Sequence, residues 1–185
     1  MSWIIDPAHS HLQFTVRHMM IAKVRGTFDQ FNGFIDYDPN NPAETNVQVT
    51  VDVDSVYTRE DKRDAHLRSP DFFDVESFPH MTFRSTRVEP AGEGQGMLYG
   101  DLTIKDKTNE IVLEVNYEGM AKSPWGTTSV GFSASGKINR KEWSLNWNQA
   151  LETGGWLVGD EIKIDIEVEL VKQEEQEEEG TVALA

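Results

Sequence analysis

The stretch "IKIDIEVEL" (residues 162–170) is the clearest strand pattern in this chain. Apolar and charged side chains alternate along its whole length, and this period of two is typical of a strand with one buried and one solvent-facing side. "NVQVTVDVDSV" (residues 46–56) repeats the alternation with its valines, and Leu12, Phe14 and Val16 repeat it near the amino terminus. The sequence therefore predicts antiparallel β-structure.

Further strand patterns recur along the chain, separated by turn-rich links such as "DPNNPAET" and "EPAGEGQG". They lie at residues 24–29, 33–37, 81–88, 97–104, 111–118, 129–138 and 145–148. Strands at this spacing favour an all-β sandwich or barrel. Closing about eight antiparallel strands into a barrel removes exposed edges, and the interior of such a barrel is either filled by side chains or holds one small ligand.

One segment departs from the strand pattern. "TREDKRDAHL" (residues 58–67) has the composition of a helix, with Thr58 as the expected N-cap. Ser69 before a proline gives a second helix-start signal. We therefore expect a short helical insertion that ends in Phe72 and Phe73 and covers one end of the barrel.

Composition excludes several classes of protein. The chain has 185 residues and no cysteine, so disulfides, thiolate metal ligands and a cysteine nucleophile are ruled out. Its net charge of −15, from 17 basic and 32 acidic residues, repels phosphate backbones and anionic lipid surfaces and argues against nucleic-acid binding. The sequence shows no signal-peptide pattern and no transmembrane segment, which predicts a cytoplasmic protein.

The charge is unevenly distributed between a body and a tail. Residues 174–185 carry five glutamates and no basic residue, and without them 17 basic and 27 acidic residues leave a net charge of −10. We expect one barrel domain over residues 1–173, followed by an acidic tail with the composition of a disordered segment.

Five ordered sequence blocks resemble the YceI-like family of polyisoprenoid-binding, lipocalin-like proteins. They are "DPAHSHLQFTVRH" (6–18), "KRDAHLRSPDFFDVESFPHMTFRS" (62–85), "GDLTI" (100–104), "INRKEWSLNW" (138–147) and "LETGGWLVGDEI" (151–162). The resemblance implies an extended, lipocalin-like antiparallel β-barrel whose interior takes a long isoprenoid chain, such as a polyprenyl phosphate or a quinone tail. It also allows for a homodimer. Two positions depart from the family pattern, because Asp106 and Ser144 stand where glycine is expected.

Inward parity and the resemblance together identify candidate ligand-binding residues. The set is apolar apart from one histidine and comprises Leu12, Phe14, Val16, His18, Phe28, Val49, Val51, Phe72, Phe73, Phe83, Leu102, Leu113, Phe132, Trp147 and Ile164. The same parity also fits a barrel whose interior is filled by these side chains. In that case the protein is a structural or stress-linked interaction module without a lipid ligand. His18, at the end of its strand, either contacts a polar head group or caps the cavity.

A metal site is the alternative chemical interpretation. His9 and His11 share one strand face by parity, and His66 or His80 could supply a third ligand for a metal-dependent hydrolase. His9 and His66 could equally be hydrogen-bonded structural residues near a barrel end. The serines lack a nucleophile-elbow context, and the sequence predicts no catalytic residue, no metal ligand and no cofactor.

The overall charge also bears on the head group of a lipid ligand. An anionic diphosphate would need a nearby cation to offset the acidic body, and the candidates are Arg17, Lys23, Arg63, Arg68 and Arg140. A neutral quinone would not need one. The charge balance therefore favours a neutral isoprenoid.

Overall fold

In the computed structural model, residues 1–174 are described, and their strands join in one antiparallel sheet. The strands are β1 (Ser2–Ile5), β2 (His11–His18), β3 (Ala22–Phe28), β4 (Phe31–Asp36), β5 (Asn46–Asp52), β6 (Val56–Tyr57), β7 (His80–Gly92), β8 (Gln95–Ile104), β9 (Lys107–Lys122), β10 (Thr128–Asn139) and β11 (Val158–Lys172). The α-helix α1 spans Asp61–Arg68, and single 3-10 turns occupy Pro7–His9, Pro42–Glu44, Val53–Ser55 and Arg140–Trp143. Apart from Glu174, the predicted tail lies outside the described residues.

The sheet closes into the predicted eight-stranded barrel because three of its strands are interrupted. β1 and β2 lie end to end along one edge of β11, while β10 occupies the other edge. β3 and β4 likewise form one broken strand, as do β5 and β6, and each pairs with its neighbour in hairpin order. The result is an up-and-down antiparallel barrel with one short helix, which confirms the predicted fold class.

The break between β1 and β2 is stabilised by a buried serine. Where the 3-10 turn carries the chain away from β11, the Ser10 hydroxyl accepts from the Glu169 amide at 3.0 Å and donates to its carbonyl at 3.5 Å. This side chain therefore takes the place of the ladder bonds that the break removes. Ser10, which belongs to the YceI-like sequence block of residues 6–18, therefore has a structural role in strand pairing.

The helix starts later than predicted, and Thr58 is not its cap. The Glu60 carboxylate accepts the amide hydrogens of Lys62 and Arg63 at the start of α1. Thr58 is instead buried, and its amide donates to the buried carboxylate of Asp64 at 2.9 Å. Since this bond joins the helix to the strand before it, Thr58 anchors α1 from the side. The second predicted start, at Ser69, leads into turns rather than a helix.

The prediction of a strand at residues 145–148 is wrong, because a side chain satisfies the carbonyls that a sheet would use. The Arg140 guanidinium donates to the carbonyls of Leu145 and Trp147, the latter at 2.9 Å, and through Nε to that of Gly159 at 2.9 Å. Asn148 adds two bonds to the Val158 backbone, at 2.7 and 3.0 Å. Residues 145–148 are therefore a loop that side chains hold against the barrel end.

The two departures from the family pattern have different structural consequences. Ser144 has a φ of 60°, in the left-handed region, at the C-cap of the 3-10 turn before the loop. In the tight turn from β8 to β9, it is Lys105, with a φ of 58°, that takes the left-handed conformation, and Asp106 follows it. Since a side chain disfavours that region, glycine would fit best at Ser144 and at Lys105.

Ser144→Gly is expected to raise the free energy of unfolding by about 1 kcal/mol, since it removes the steric cost of a left-handed serine. Urea unfolding of the two proteins measures the difference. Ser129→Gly, in the extended strand β10, is the matched control and is expected to destabilise the fold. A lower midpoint for Ser144→Gly than for the parent would contradict this account.

Candidate ligand-binding cavity

The barrel encloses an apolar cavity of about 780 Å³. This volume lies within the range of pockets that bind small molecules. All the residues predicted to bind a ligand line it except His18 and Trp147; the lining set is Leu12, Phe14, Val16, Phe28, Val49, Val51, Phe72, Phe73, Phe83, Leu102, Leu113, Phe132 and Ile164. The inward side chains thus leave the barrel hollow, which is not the filled core of the alternative interpretation.

Two glycines let aromatic rings lie flat against the barrel wall. A Cβ on Gly26 would stand 2.3 Å from Cζ of Phe14, and a Cβ on Gly100 would stand 2.3 Å from Cζ of Phe83. Each ring therefore occupies the space of a missing side chain on the neighbouring strand. Because the rings are displaced toward the wall, the centre of the barrel remains open.

A chain of aromatic contacts joins the wall to the segment after α1. The ring centroids of Phe14 and Phe28 lie 5.5 Å apart, and those of Phe28 and Phe73 lie 5.8 Å apart in an edge-to-face arrangement. Phe72 is buried beside them. This end of the cavity is closed by apolar side chains.

The opposite end reaches the surface. Lining residues there are exposed and belong to the turn between β7 and β8 and the loop after β4; they include Pro39, Pro42, Glu93 and Gln95. The cavity therefore has a mouth at the end away from α1.

The cavity wall offers little polar chemistry. Arg140, Glu93 and Glu167 are the charged lysine, arginine, aspartate or glutamate residues among the described lining residues, and both glutamates are exposed. Within residues 1–174, every buried side-chain nitrogen or oxygen has a hydrogen-bond partner. Since no buried polar group waits for a partner, the wall fits an apolar molecule that is recognised by shape.

Arg140 is committed to the protein itself. Its side chain is 3 % exposed, and besides the carbonyls of Leu145, Trp147, Val158 and Gly159 it faces the Asp160 carboxylate at 3.5 Å. Burial lowers the pKa of the guanidinium, and Asp160 acts in the opposite direction. Its donors are therefore used in holding the loop and are not available to a ligand.

The structure gives His18 and Trp147 other surroundings. His18 ends β2 opposite Val158, beyond the cavity wall. Trp147 packs on the rings of His66, at 4.6 Å between centroids, and Phe72, at 5.4 Å. Trp147 thus supports the closed end from outside, on a loop that strand parity could not describe.

Several lining residues were not among the sequence-based candidates. Ile5, Phe31, Ile35, Tyr37, Met81, Leu98, Ile104, Ile111, Ile138 and Leu170 all face the cavity. Residues 31, 35 and 37 have the same parity along β4 and the residue after it, and this alternation could have identified Phe31, Ile35 and Tyr37 from the sequence. β1 is too short for its alternation to stand out.

His66 connects α1 to the loop of residues 144–157. It is therefore the hydrogen-bonded structural residue of one sequence-based interpretation, rather than a metal ligand. Its Nε2 lies 2.9 Å from the Asp71 carboxylate, and its ring contacts Phe72 and Trp147 edge-on. His66 is therefore a structural contact between the α1 segment and the loop at the closed end.

The histidines do not converge as a metal site would require. Within residues 1–174, one group of three metal-ligating side chains comes together, and it consists of Asp6, His9 and Glu169, with ligand atoms within 4.8 Å of one another. His11, His66 and His80 are not part of it. The His9 Nδ1 lies 2.8 Å from the Asp6 carboxylate, in the turn that breaks β1 from β2.

This pair predicts a pH-dependent contribution to stability. The hydrogen bond from Asp6, with its charge, raises the pKa of His9, and the bond from His9 lowers the pKa of Asp6. The contribution of His9 is full below about pH 6.5 and is lost as pH rises through its raised pKa; that of Asp6 is full above about pH 4 and is lost as pH falls through its lowered pKa. The pair therefore supports the turn best between about pH 4 and 6.5.

An NMR titration is expected to show a His9 pKa above the ordinary histidine value. Asp6→Asn is expected to bring the His9 pKa back toward the ordinary value, since it removes the carboxylate. Equal His9 titration in the parent and in Asp6→Asn would show that the ion pair does not form.

No helix within the described part of the chain is long and apolar enough to cross a membrane.

Comparison with protein families matches residues 3–170 to the YceI-like domain. A UPF0312 protein of Staphylococcus aureus (strain bovine RF122) is 38 % identical over 169 residues, which cover 91 % of this chain and 96 % of that protein.

Solved structures show the same fold. Burkholderia cenocepacia BcnA superposes with a TM-score of 0.77 at 25 % identity, covering 91 % of this chain and 99 % of that one. A Campylobacter jejuni YceI protein gives 0.72 at 33 % identity, over 85 % and 90 % of the two chains. A polyisoprenoid-binding domain from Saccharophagus degradans gives 0.66 over 92 % and 98 %, and at 13 % identity it shows likeness of fold alone.

Proposed function

The chain belongs to the YceI-like family, and we propose that its barrel binds and carries, or stores, a long-chain isoprenoid lipid of the quinone or polyprenyl type. The observation that carries this proposal is the hollow, almost entirely apolar cavity of about 780 Å³. The description of the Saccharophagus degradans domain as polyisoprenoid-binding supports the ligand class. Binding rather than catalysis is proposed because the lining is almost entirely apolar and every buried side-chain nitrogen or oxygen within residues 1–174 already has a hydrogen-bond partner.

The energetics suit a chain of repeated apolar units. Each buried methylene contributes about 0.8 kcal/mol, while association costs on the order of 4 to 15 kcal/mol. Several isoprene units therefore supply a net driving force without any polar contact. Affinity is expected to rise with chain length and to depend little on the head group.

The positions of the basic residues support a neutral head group. Arg140 is bonded within its loop, Arg63 donates to Thr58, and Arg68 donates to the carbonyls of Asp54 and Val56. Arg17 and Lys23 are exposed and do not line the cavity. Of the five candidate cations only Arg140 lines the cavity within the described residues, and its donors are already bonded to the loop and to Asp160. A quinone or an alcohol is therefore the proposed ligand rather than a diphosphate.

Organic extraction of the purified, tag-free protein, followed by mass spectrometry, tests the proposal. We expect a roughly stoichiometric species whose homologues differ by the mass of an isoprene unit. Comparing uptake of a polyprenyl alcohol and its diphosphate tests the head group, and a clear preference for the diphosphate would overturn the neutral assignment. An empty extract from protein that also fails to take up added quinone would contradict isoprenoid binding.

Filling the cavity is expected to abolish uptake. Ala134 lies on β10 between the inward residues Val115 and Ile166, and it lines the cavity. Ala134→Trp should reduce quinone uptake by at least about tenfold, because the indole occupies the volume that the lipid chain needs.

Ser135→Trp is the matched control for this variant, since Ser135 is the next residue on β10 and pairs with the outward-facing Asp165 and Glu114. It is expected to leave quinone uptake unchanged. Equal uptake by Ala134→Trp and the parent would place the ligand outside the barrel.

A further inference from the structure

The hairpin between β2 and β3 carries an exposed apolar tip. Met19, Met20 and Ile21 form the turn and are 43 %, 57 % and 84 % exposed. Trp156, 57 % exposed, belongs to the neighbouring loop, and Met20 covers Gly155 of the same loop, with its Cγ 3.2 Å from where a Cβ would stand. These four large side chains form one surface, here termed the apolar tip.

The tip is held in a conformation that its residues disfavour. Met19 and Met20 have φ values of 53° and 64°, and the Ile21 amide donates to the His18 carbonyl at 3.2 Å to close the turn. In the β-turn His18–Ile21, at the start of this three-residue loop, both central residues have positive φ, a conformation that favours Asn-Gly and strains bulky side chains. The chain thus places methionines where stability alone would select other residues.

The charge of the β2–β3 hairpin is opposite to that of the protein as a whole, while the neighbouring loop of the tip carries one acidic residue, Glu152. No acidic residue lies between Asp6 and Asp29, although the chain has 32 of them. Arg17, Lys23 and Arg25 are exposed on the hairpin. None of the three forms an ion pair within the described part of the chain.

Two of these cations also face each other. Arg17 and Lys23 are direct cross-strand partners, an arrangement that is destabilising for like charges. An anionic surface would relieve this repulsion. Apolar side chains beside unpaired basic ones are the combination that binds the interface of an anionic bilayer.

We propose that the apolar tip and the basic residues of the β2–β3 hairpin dock this protein on the surface of an anionic lipid bilayer. The Met19 amide donates to the Leu157 carbonyl at 2.8 Å, and that loop carries Trp147, which contacts the α1 segment. Docking therefore turns the closed end of the barrel toward the membrane. The net charge of −15 does not prevent this, because salt screens charges beyond about 10 Å and the local basic residues dominate at contact.

Co-sedimentation of the full chain with large unilamellar vesicles tests the docking surface. We expect binding to vesicles of equal parts phosphatidylglycerol and phosphatidylcholine, little binding to phosphatidylcholine alone, and weakening with salt. Ile21→Ser should reduce binding by about tenfold or more, since it removes an apolar residue from the membrane interface. Arg17→Glu combined with Lys23→Glu should reduce it at least as far.

Matched controls come from the other end of the barrel. Trp125, in the β9–β10 turn, is 89 % exposed, and Lys122 lies beside it. Trp125→Ser and Lys122→Glu are expected to leave vesicle binding unchanged. A loss with Trp125→Ser equal to that with Ile21→Ser would overturn the proposal, as would equal binding of the parent to both kinds of vesicle.

A further variant separates docking from folding. Met19→Asn with Met20→Gly should raise the thermal unfolding midpoint, because both residues suit the turn, while it lowers vesicle binding. If the tip instead joins two copies of the chain, Ile21→Ser changes the sedimentation coefficient and the parent fails to bind vesicles, which contradicts docking. Vesicle co-sedimentation tests the docking surface, and extraction and quinone uptake test the cavity. Failure of the docking proposal can therefore be distinguished from failure of the proposed isoprenoid binding.

Discussion

Arg140→Met is expected to lower the free energy of unfolding by about 3–5 kcal/mol, since each buried carbonyl that loses its donor costs about 1–3 kcal/mol. The substitution leaves the carbonyls of Leu145, Trp147 and Gly159 without their donor, and buried acceptors without partners are costly. A domain of this kind has about 5–15 kcal/mol of total stability, so the variant approaches unfolding. Equilibrium unfolding in urea gives the difference.

Two controls show whether the bonds to carbonyls carry this effect. Lys141→Met removes an exposed cation from the same turn, one that lies 3.2 Å from Asp160, and should change stability by less than about 0.5 kcal/mol. Arg140→Lys keeps the charge but lacks the planar fork, and it should recover only part of the loss. Full recovery by lysine would mean that the charge, rather than the hydrogen bonds, holds the loop.

Phe14→Asp is expected to reduce lipid retention and stability together. The loss of a core aromatic ring alone costs about 3–5 kcal/mol. Phe14 packs on Gly26 and Phe28 and lines the cavity, so the new carboxyl would stand among apolar groups without a partner. Stability from urea unfolding and lipid content after extraction measure the two effects.

This variant also has a characteristic pH dependence. Burial raises the pKa of a carboxyl above its unfolded value of about 3.9, so the folded state binds the proton more tightly than the unfolded state. The penalty of Phe14→Asp is therefore smallest at acid pH and grows as pH rises toward the raised pKa. Thr15→Asp, the outward neighbour, should show neither effect. A stable, lipid-loaded Phe14→Asp would show that this strand faces the other way.

The most reliable sequence-based predictions concerned parity within long strands. Ile164 and Ile166 face the cavity as the alternation of β11 indicated, and Leu12 and Phe14 do the same on β2. Side-chain direction in a strand follows from its own backbone, so local sequence is sufficient to predict it. The resemblance to YceI-like proteins added the barrel and its ligand class, and the family and the barrel are confirmed.

Predictions failed where distant groups decide the local conformation. Trp147 alternates like a strand residue, yet the carbonyls of its segment bond to Arg140. Thr58 has the chemistry of an N-cap, yet it bonds to Asp64 from outside the helix. In both cases a hydrogen bond to another segment has a free energy similar to that of the local strand or helix preference. The sequence does not show which hydrogen-bond partner is close enough in the folded protein to outweigh that preference.

Antiparallel strands with an apolar inward face could be predicted from the chain alone, since strand period and turn spacing are local properties, and the resemblance to YceI-like proteins indicated the closed barrel. The hollow interior, in contrast, follows from the three-dimensional arrangement of the strands. Two rings, those of Phe14 and Phe83, lie over glycines of the next strand in the chain, and the register that brings each ring onto its glycine is set only when the sheet forms. The reason is that a cavity is the difference between the volume a closed sheet encloses and the volume its side chains fill, and both depend on which strands become neighbours.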